Sequence, residues 1–366
     1  MKTVLTVFGT RPEAIKMCPL IKELKGHGNF KTPVCVTGQH REMLYSVLDE
    51  LGVTADYDLS VMTDGQTPLE VTSEILREIG SVLDKTRPDV VLVHGDTTTA
   101  FAAALACFYK RISVGHVEAG LRTYDIYSPY PEEFNRQAIS KIAKYNFAPT
   151  DTARQNLLRE GVSEQSIFLT GNTIIDALKI TVRAEFTHPL FEWASGSRLA
   201  VVTAHRRESI GEPMKRMLRG VRRAIEETPD VKVIYPMHKN PKARAIAKKE
   251  LGDSERICLV EPLGVIDFHN ILARSHIIIT DSGGIQEEAV ALGKPTLVMR
   301  STTERPEGID AGTLKLVGTD EVAVYKSVKL LLERNDLYSK MAKAKASYGD
   351  GTAARQIADI IEENIS

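Results

Sequence analysis

The sequence predicts an α/β protein of two domains, each built on a parallel sheet with helices on both faces. Three observations predict it. Short apolar strands alternate with amphipathic helices along the chain. Several strands, such as Val90-Val91-Leu92-Val93, are apolar at every position, as strands buried on both faces are. The alternation weakens once, near residues 183–198, and then restarts. A chain of 366 residues is long enough for two such cores.

In order, residues 3–8 read as a strand and 12–25 as a helix with Pro12 in its first turn. A strand at 34–37, a helix at 41–51 and a long helix at 67–85 follow. Next come a strand at 89–94, an Ala-rich helix at 97–110 and a strand at 113–117. A helix at 131–144, a strand at 147–148, a helix at 151–160, a strand at 167–169 and a helix from Thr173 complete the first half. Residues 183–198 hold Thr187-His188-Pro189, the single tryptophan Trp193 and Ser195-Gly196-Ser197, which read as a boundary or hinge. The second half has strands at 199–203, 231–235, 257–260, 276–280, 295–299 and 314–317. Its helices read as 213–228, 241–251, 265–274, 320–333, 336–346 and 353–363, with another after Thr280. Right-handed crossovers put the loops after the strands on one edge of each sheet, the edge where ligands bind in such folds. The expectation is two Rossmann-like domains, 1–180 and 198–352, with parallel sheets facing a central cleft.

Composition narrows the function. Hydrophobic content of 43%, charged content of 26% and a formal net charge of -1 fit a soluble globular protein and make no case for nucleic acid or an anionic membrane. The 4 cysteines, Cys18, Cys35, Cys107 and Cys258, form no CxxC pair and read as free thiols in a reducing compartment. No signal-peptide pattern follows Met1 and no apolar run approaches a membrane span, so a cytoplasmic protein is expected.

Polar clusters follow the strands. Ile277-Ile278-Ile279-Thr280 runs into Asp281-Ser282-Gly283-Gly284, where Asp281 and Ser282 suit helix N-caps and the glycines admit a ligand close to the backbone. An anion such as phosphate fits a helix start of this kind, and Glu287 and Glu288 follow within reach of a sugar hydroxyl; an ordinary capped turn reads equally well. Gly9-Thr10-Arg11-Pro12-Glu13 offers an arginine fork suited to phosphate, with Lys16 about one helical turn on. Asp96, in His94-Gly95-Asp96-Thr97, is a helix cap or a site residue. Glu118 ends a buried strand and must be paired, either with Arg122 as a structural partner or as a catalytic group. Glu132 and Glu133 open a helix behind Pro129 and Pro131, where acidic residues also complement the helix dipole. His205-Arg206-Arg207 suits an anionic leaving group and a proton shuttle. Met237-His238-Lys239-Asn240 and Thr302-Thr303-Glu304-Arg305-Pro306-Glu307 are further polar runs at strand ends. There is no GxxxxGK[ST] loop, no GxGxxG turn, no GxSxG elbow and no metal-like histidine spacing among the 9 histidines.

These motifs, in this order, resemble the non-hydrolysing UDP-N-acetylglucosamine 2-epimerases. The resembling segments are FGTRPEAIKM, VTGQHREML, VLVHGDTTT, GHVEAGLRT, YSPYPEEFNR, FLTGNTIIDAL, VTAHRRES, TDSGGIQEEA, LGKPTLVMR and TTERPE, from Phe8 to Glu307. The resemblance implies a glycosyltransferase-B-like fold with the active site in the interdomain cleft, and a last helix, 353–366, that packs back on the N-terminal domain. It implies interconversion of UDP-GlcNAc and UDP-ManNAc without a nicotinamide cofactor or metal, by elimination of UDP to 2-acetamidoglucal and re-addition. The product would supply ManNAc units for surface polysaccharide. A homodimer is the family's usual state.

By the same resemblance Asp96, Glu118, Glu132 and His205 match catalytic positions. Arg11, Lys16, Arg136, His205, Ser282, Gly283, Gly284 and Glu288 match positions that bind UDP, with Phe268 near the uracil. Gln39, Arg207 and His238 match a second, allosteric UDP-GlcNAc site of some members, whereas Glu42 and Gly65 depart from it. The segment after Glu261-Pro262 departs from the usual pattern, and Tyr130 replaces a common tryptophan. A 2-epimerase of a modified UDP-sugar, such as UDP-2,3-diacetamido-hexuronic acid, or a glycosyltransferase of the same fold are the alternatives.

Overall fold

The computed structural model describes residues 1–38, 41–61, 63, 65–206, 209–344 and 348–365. The chain divides into two units, Met1–Ile180 with Tyr348–Ser366, and Thr181–Ser347. No helix among the described residues is long and apolar enough to cross a membrane.

The first unit holds the strands β1 (Lys2–Phe8), β2 (Phe30–Lys31), β3 (Val34–Val36), β4 (Tyr57–Asp58), β5 (Val90–His94), β6 (Ser113–Val117), β7 (Tyr145–Ala148) and β8 (Ile167–Leu169). They form one parallel sheet in the order β4-β3-β1-β5-β6-β7-β8, with β2 also paired to β1. Between them run α1 (Arg11–Gly26), α2 (Arg41–Glu50), α3 (Pro68–Thr86), α4 (Thr98–Tyr109), α5 (Glu132–Ile142) and α6 (Asp151–Arg159), and α7 (Thr173–Thr181) follows β8. The helix starts are chemically specified. Thr10 with Glu13 and Thr67 with Glu70 form capping boxes, each with a proline in the first turn. Leu5, Val7, Val91 and Val93 pack with Ala100, Ala103 and Ala104 of α4, where small side chains let the helix lie close to the sheet.

The second unit holds β9 (Arg198–Thr203), β10 (Val231–Pro236), β11 (Ile257–Val260), β12 (Ile277–Thr280), β13 (Thr296–Val298) and β14 (Leu314–Leu316), in the parallel order β11-β10-β9-β12-β13-β14. Its helices are α8 (Pro189–Trp193), α9 (Glu212–Glu226), α10 (Pro241–Leu251), α11 (Val265–Arg274), α12 (Gly283–Ala291), α13 (Pro306–Ala311), α14 (Glu321–Glu333) and α15 (Asn335–Ala342). Both faces of this sheet are covered, and β12 shows it residue by residue. Ile277 and Ile279 join the cluster formed with α9 and α14, while Ile278 joins the opposite one with α11 and α12. Residues 183–198, read from sequence as a boundary, fall in this unit and include α8, whose first turn carries Pro189 and whose cap is His188.

The last helix, α16 (Ala353–Asn364), belongs to the first unit and packs on α1. Its buried face is Ala353, Ala354, Ile357, Ala358 and Ile361. Asp176 on α7 accepts from the Ala354 backbone N–H at 3.0 Å, and His27 bonds Asp359 at 2.9 Å. Three cysteines are buried and Cys258 is half-buried, all as free thiols.

In each sheet the chain reverses its direction of growth beside a central strand, at β1/β5 and at β9/β12, and the loops after those strands lie next to one another. His116 helps fix the loop after β5. It is fully buried on β6, its Nε2–H donates to the Gly95 carbonyl at 2.7 Å, and burial pushes its pKa down to about 3. Below pH 6.5 the unfolded chain takes up a proton on this histidine that the folded chain refuses, so stability falls with acid. The wild type should lose about 2 kcal/mol more than a His116→Gln variant between pH 6.5 and about 4.5, as read by urea unfolding. Parallel pH dependences in the two proteins would contradict this.

Candidate active site

In the first unit the loops after β1, β5 and β6 converge because those three strands are neighbours. Gly9 follows β1 directly, where no side chain fits: a β-carbon there would lie 2.2 Å from Thr37 Oγ1 and 2.5 Å from Thr99 Oγ1. Glu13, one turn into α1, is buried and joins the first two loops. Its carboxylate accepts from the backbone N–H groups of Gly9 (3.0 Å) and Thr10 (2.8 Å) and from the Thr97 hydroxyl (2.8 Å). Burial pushes this carboxyl up to about 7 against those hydrogen bonds. Sequence reasoning assigned Glu13 no role, although the Thr10–Glu13 spacing is a capping-box signal.

Glu118 follows β6 directly and is 6% exposed. Its backbone is left-handed, with φ at 63°, which is uncommon for a residue other than glycine. Lys16 Nζ hydrogen-bonds its Oε2, and Asn172 Nδ2 donates to the same oxygen at 3.0 Å. His94 Nε2 lies 3.7 Å from Oε2, and Arg136 Nη1 lies 3.5 Å from Oε1. Arg136 also donates to the Glu118 carbonyl at 2.7 Å, and its Nη2 hydrogen-bonds Asp96 Oδ2. One guanidinium thus holds two of the predicted catalytic carboxylates. Asn172 and His94 are partners that sequence reasoning did not assign; His94 is the last residue of β5, and Asn172 lies in the polar run just after β8.

The structure shows the partners at three points the sequence left open. Arg122 is not the partner of Glu118: it forks onto Glu160 at 2.7 and 2.8 Å. Asp96 does not cap α4, because the Thr97 hydroxyl accepts from the Ala100 N–H at 3.0 Å instead, and the Asp96 side chain keeps 29% of its surface exposed. Of the two carboxylates at the start of α5, Glu133 accepts from the Thr123 and Tyr124 backbone N–H groups at 3.0 Å each. Glu132 is half-buried, one turn before Arg136 on the same helix face. Arg11 opens α1 and is half-buried.

In the second unit the Asp281 side chain caps nothing on its own helix. Its Oδ2 accepts from the backbone N–H groups of His205 and Arg206 at 2.9 Å each, which fixes the loop after β9 against the loop after β12. Ser282 is the N-cap of α12 by position and makes no side-chain capping bond. The two glycines differ. A β-carbon on Gly283 would lie 2.6 Å from Arg305 Nη1 and 2.8 Å from Glu304 Oε1, whereas one on Gly284 would meet nothing within 4 Å. Glu287, read from sequence as a sugar contact, is fully buried and bonds Arg305 Nε at 2.7 Å, so only Glu288 keeps that reading. Glu304 takes Arg206 at 3.2 Å, Arg300 at 3.0 Å and Arg305 at 2.5 Å. Burial alone would raise the Glu304 carboxyl; the guanidiniums of Arg305, Arg300 and Arg206 outweigh it and hold it well below the usual carboxylate range.

His205 is partly exposed, 3.8 Å from Asp281 Oδ1, and stacks on the exposed His238 with ring centroids 4.9 Å apart. Phe268 is half-buried on α11 against the cluster that includes Ile285 of α12. Gln39 and Arg207, assigned with His238 to an allosteric site, lie outside the described residues. Among the described residues no group of His, Cys, Asp and Glu side chains could hold a metal ion. The first unit therefore offers carboxylates set on cations, suited to proton transfer. The second offers a helix N-terminus flanked by a histidine and arginines, suited to a phosphate-bearing ligand.

Comparison with known proteins agrees with that chemistry. Residues 22–362 match the family described as UDP-N-acetylglucosamine 2-epimerase. The chain is 55% identical over 356 residues to the UDP-N-acetylglucosamine 2-epimerase of Bacillus subtilis (strain 168), covering 97% of this chain and 94% of that one. It superposes with a TM-score of 0.96 on the S. aureus MnaA-UDP co-structure, 50% identical, covering 99% of this chain and 96% of that chain. The UDP-GlcNAc 2-epimerase from Neisseria meningitidis bound to UDP-GlcNAc gives a TM-score of 0.95 at 44% identity, covering 99% of this chain and 100% of that chain. The chain belongs to the UDP-N-acetylglucosamine 2-epimerase family.

Proposed function

We propose that the protein interconverts UDP-GlcNAc and UDP-ManNAc at C2, by elimination of UDP to 2-acetamidoglucal and re-addition. The observation that carries the reading is the Arg136 guanidinium shared by Asp96 and Glu118, one carboxylate accessible and the other enclosed. Its support is the chemistry of elimination. The C2–H and C1–O bonds break, the C1=C2 double bond forms, and UDP departs carrying the electron pair of the C1–O bond. That needs a base at C2 and cations with N–H donors at the diphosphate. Asp96 and Glu132 are accessible enough to exchange protons with C2, and inversion there requires delivery from the face opposite to removal. Glu118, enclosed by Lys16, Arg136, His94 and Asn172, holds those groups in place. Arg11, Lys16, Arg136, His205, Ser282, Gly283 and Gly284 are assigned to the UDP moiety, Glu288 to its ribose and Phe268 to its uracil. His238, with Gln39 and Arg207, is assigned to a second nucleotide-sugar site. The UDP-GlcNAc and UDP held by the two solved relatives support this substrate class. Action as a cytoplasmic homodimer that feeds ManNAc units to surface polysaccharide belongs to the same reading.

Asp96→Asn and Glu132→Gln should each lower kcat by about a thousandfold with the melting temperature unchanged. Wild-type turnover in either purified variant contradicts its assignment. Glu118→Gln should behave differently, because it leaves the buried Lys16 ammonium beside a neutral group and removes one of the two carboxylates at Arg136. We expect loss of turnover together with a melting temperature lower by roughly 6–12 °C, from about 3 kcal/mol of lost stability. Gly284→Ala should leave the melting temperature unchanged or slightly raised and weaken UDP by about tenfold or more, since only a ligand could meet the new methyl group. Gly283→Ala, which forces Arg305 and Glu304 apart, should lower the melting temperature. Equal UDP affinity in wild type and Gly284→Ala would contradict the placement of the diphosphate.

A further inference from the structure

α12 presents two different stripes to its surroundings. Gly283 and Glu287, one turn apart, pack under Arg305. Gly284 and Glu288, also one turn apart, form the other stripe; a β-carbon on Gly284 would be in open space, and Glu288 is 8% exposed. Facing Glu288 is His269 of α11, fully buried, with Nε2 at 3.7 Å from Glu288 Oε1. That separation is too long for a hydrogen bond. Neither His269 Nε2 nor Glu288 Oε2 has a hydrogen-bond partner among the described residues, although both are buried. Buried polar atoms are rarely left in that state: the imidazole N–H has only the Glu288 carboxylate to turn to, and the remaining Glu288 oxygen marks a place where a ligand completes the bonding.

The other side of the imidazole is fixed. His269 Nδ1 lies 2.7 Å from the Thr181 hydroxyl. With a carboxylate facing Nε2, the tautomer that avoids opposing lone pairs carries its proton on Nε2, so Nδ1 accepts from Thr181. Thr181 is itself held, because Asn270 Nδ2 donates to its carbonyl at 2.8 Å and Asn270 Oδ1 accepts from the Arg183 N–H at 2.9 Å. Arg274 extends the strap by donating to the carbonyls of Arg183 and Ala184 at 2.9 Å each.

We propose that His269 is a positioning residue: the relay Thr181–His269–Glu288 orients the Glu288 carboxylate so that one oxygen faces the imidazole N–H and the other accepts from the ribose hydroxyls of the bound nucleotide. The proposal rests on the assignment of Glu288 to the ribose made above. It extends recognition to two residues, Thr181 and His269, that act through the carboxylate without touching the ligand.

The test is a double-mutant cycle on UDP affinity, by isothermal titration calorimetry with the full-length protein. His269→Phe, which keeps volume and removes the N–H, should weaken UDP by about tenfold. Glu288→Gln should weaken it by at least as much, and the double variant should be no weaker than Glu288→Gln alone. His269→Gln, whose amide N–H reaches the same place, should recover most of the loss. Thr181→Val serves as the milder probe should His269→Phe fold poorly, and its loss should likewise vanish in the Glu288→Gln background. Additive losses, as general destabilisation of the unit would give, overturn the relay, as does UDP affinity unchanged in both His269→Phe and Thr181→Val. Wild-type protein that does not bind UDP overturns the functional reading itself and the relay with it; wild type that binds UDP with additive variants overturns the relay alone.

Discussion

The enclosure of the Glu118 carboxylate constrains everything around it in the first unit. A buried carboxylate costs several kcal/mol to desolvate, and only close opposite charges and hydrogen bonds offset that. Lys16, Arg136, His94 and Asn172 meet the requirement, drawn from α1, α5, the end of β5 and the approach to α7. Each residue is therefore committed to one position. Arg136, once committed, presents its second nitrogen to Asp96. The left-handed backbone at Glu118 fits the same account, since a strained conformation persists where its surroundings over-determine it.

A second device recurs in both units. A single buried carboxylate accepts two consecutive backbone N–H groups from the loop after a central strand. Glu13 does this for Gly9 and Thr10, and Asp281 does it for His205 and Arg206. In each case the loop so fixed carries or leads directly into a group assigned to the nucleotide, Arg11 at the start of α1 in one and His205 in the other. A carboxylate that accepts backbone donors holds a loop without claiming the side chains the chemistry needs. The charged network of Glu304, Glu287, Arg206, Arg300 and Arg305 keeps cationic groups beside the start of α12.

Much of the architecture was legible in the sequence because it is written in local patterns. The all-apolar run at β5 and the alternating packing of β12 belong to strands whose character does not depend on distant partners. The two-residue strands β2 and β4 were missed, since they exist only by pairing with β1 and β3. The short helix α13 hid inside a polar loop because Pro306 reads as punctuation as readily as a first turn. In the site, positions after strands were legible and partners were not. Nothing local separates Glu132 from Glu133; the difference is that Glu133 meets the backbone of Thr123 and Tyr124. Asp281 looks like a cap until the strand order brings His205 and Arg206 beside it. Arg122, the neighbour of choice for Glu118 by sequence distance, faces α6 and pairs with Glu160.

The central claim is that the C2 proton leaves the sugar and a solvent-derived proton returns on the opposite face. It is tested most directly by incubating the protein with UDP-GlcNAc in deuterated water and following the sugar by NMR. UDP-ManNAc carrying deuterium at C2 is the expected product. UDP-ManNAc that retains the original proton at C2, or no UDP-ManNAc at all, would contradict the claim.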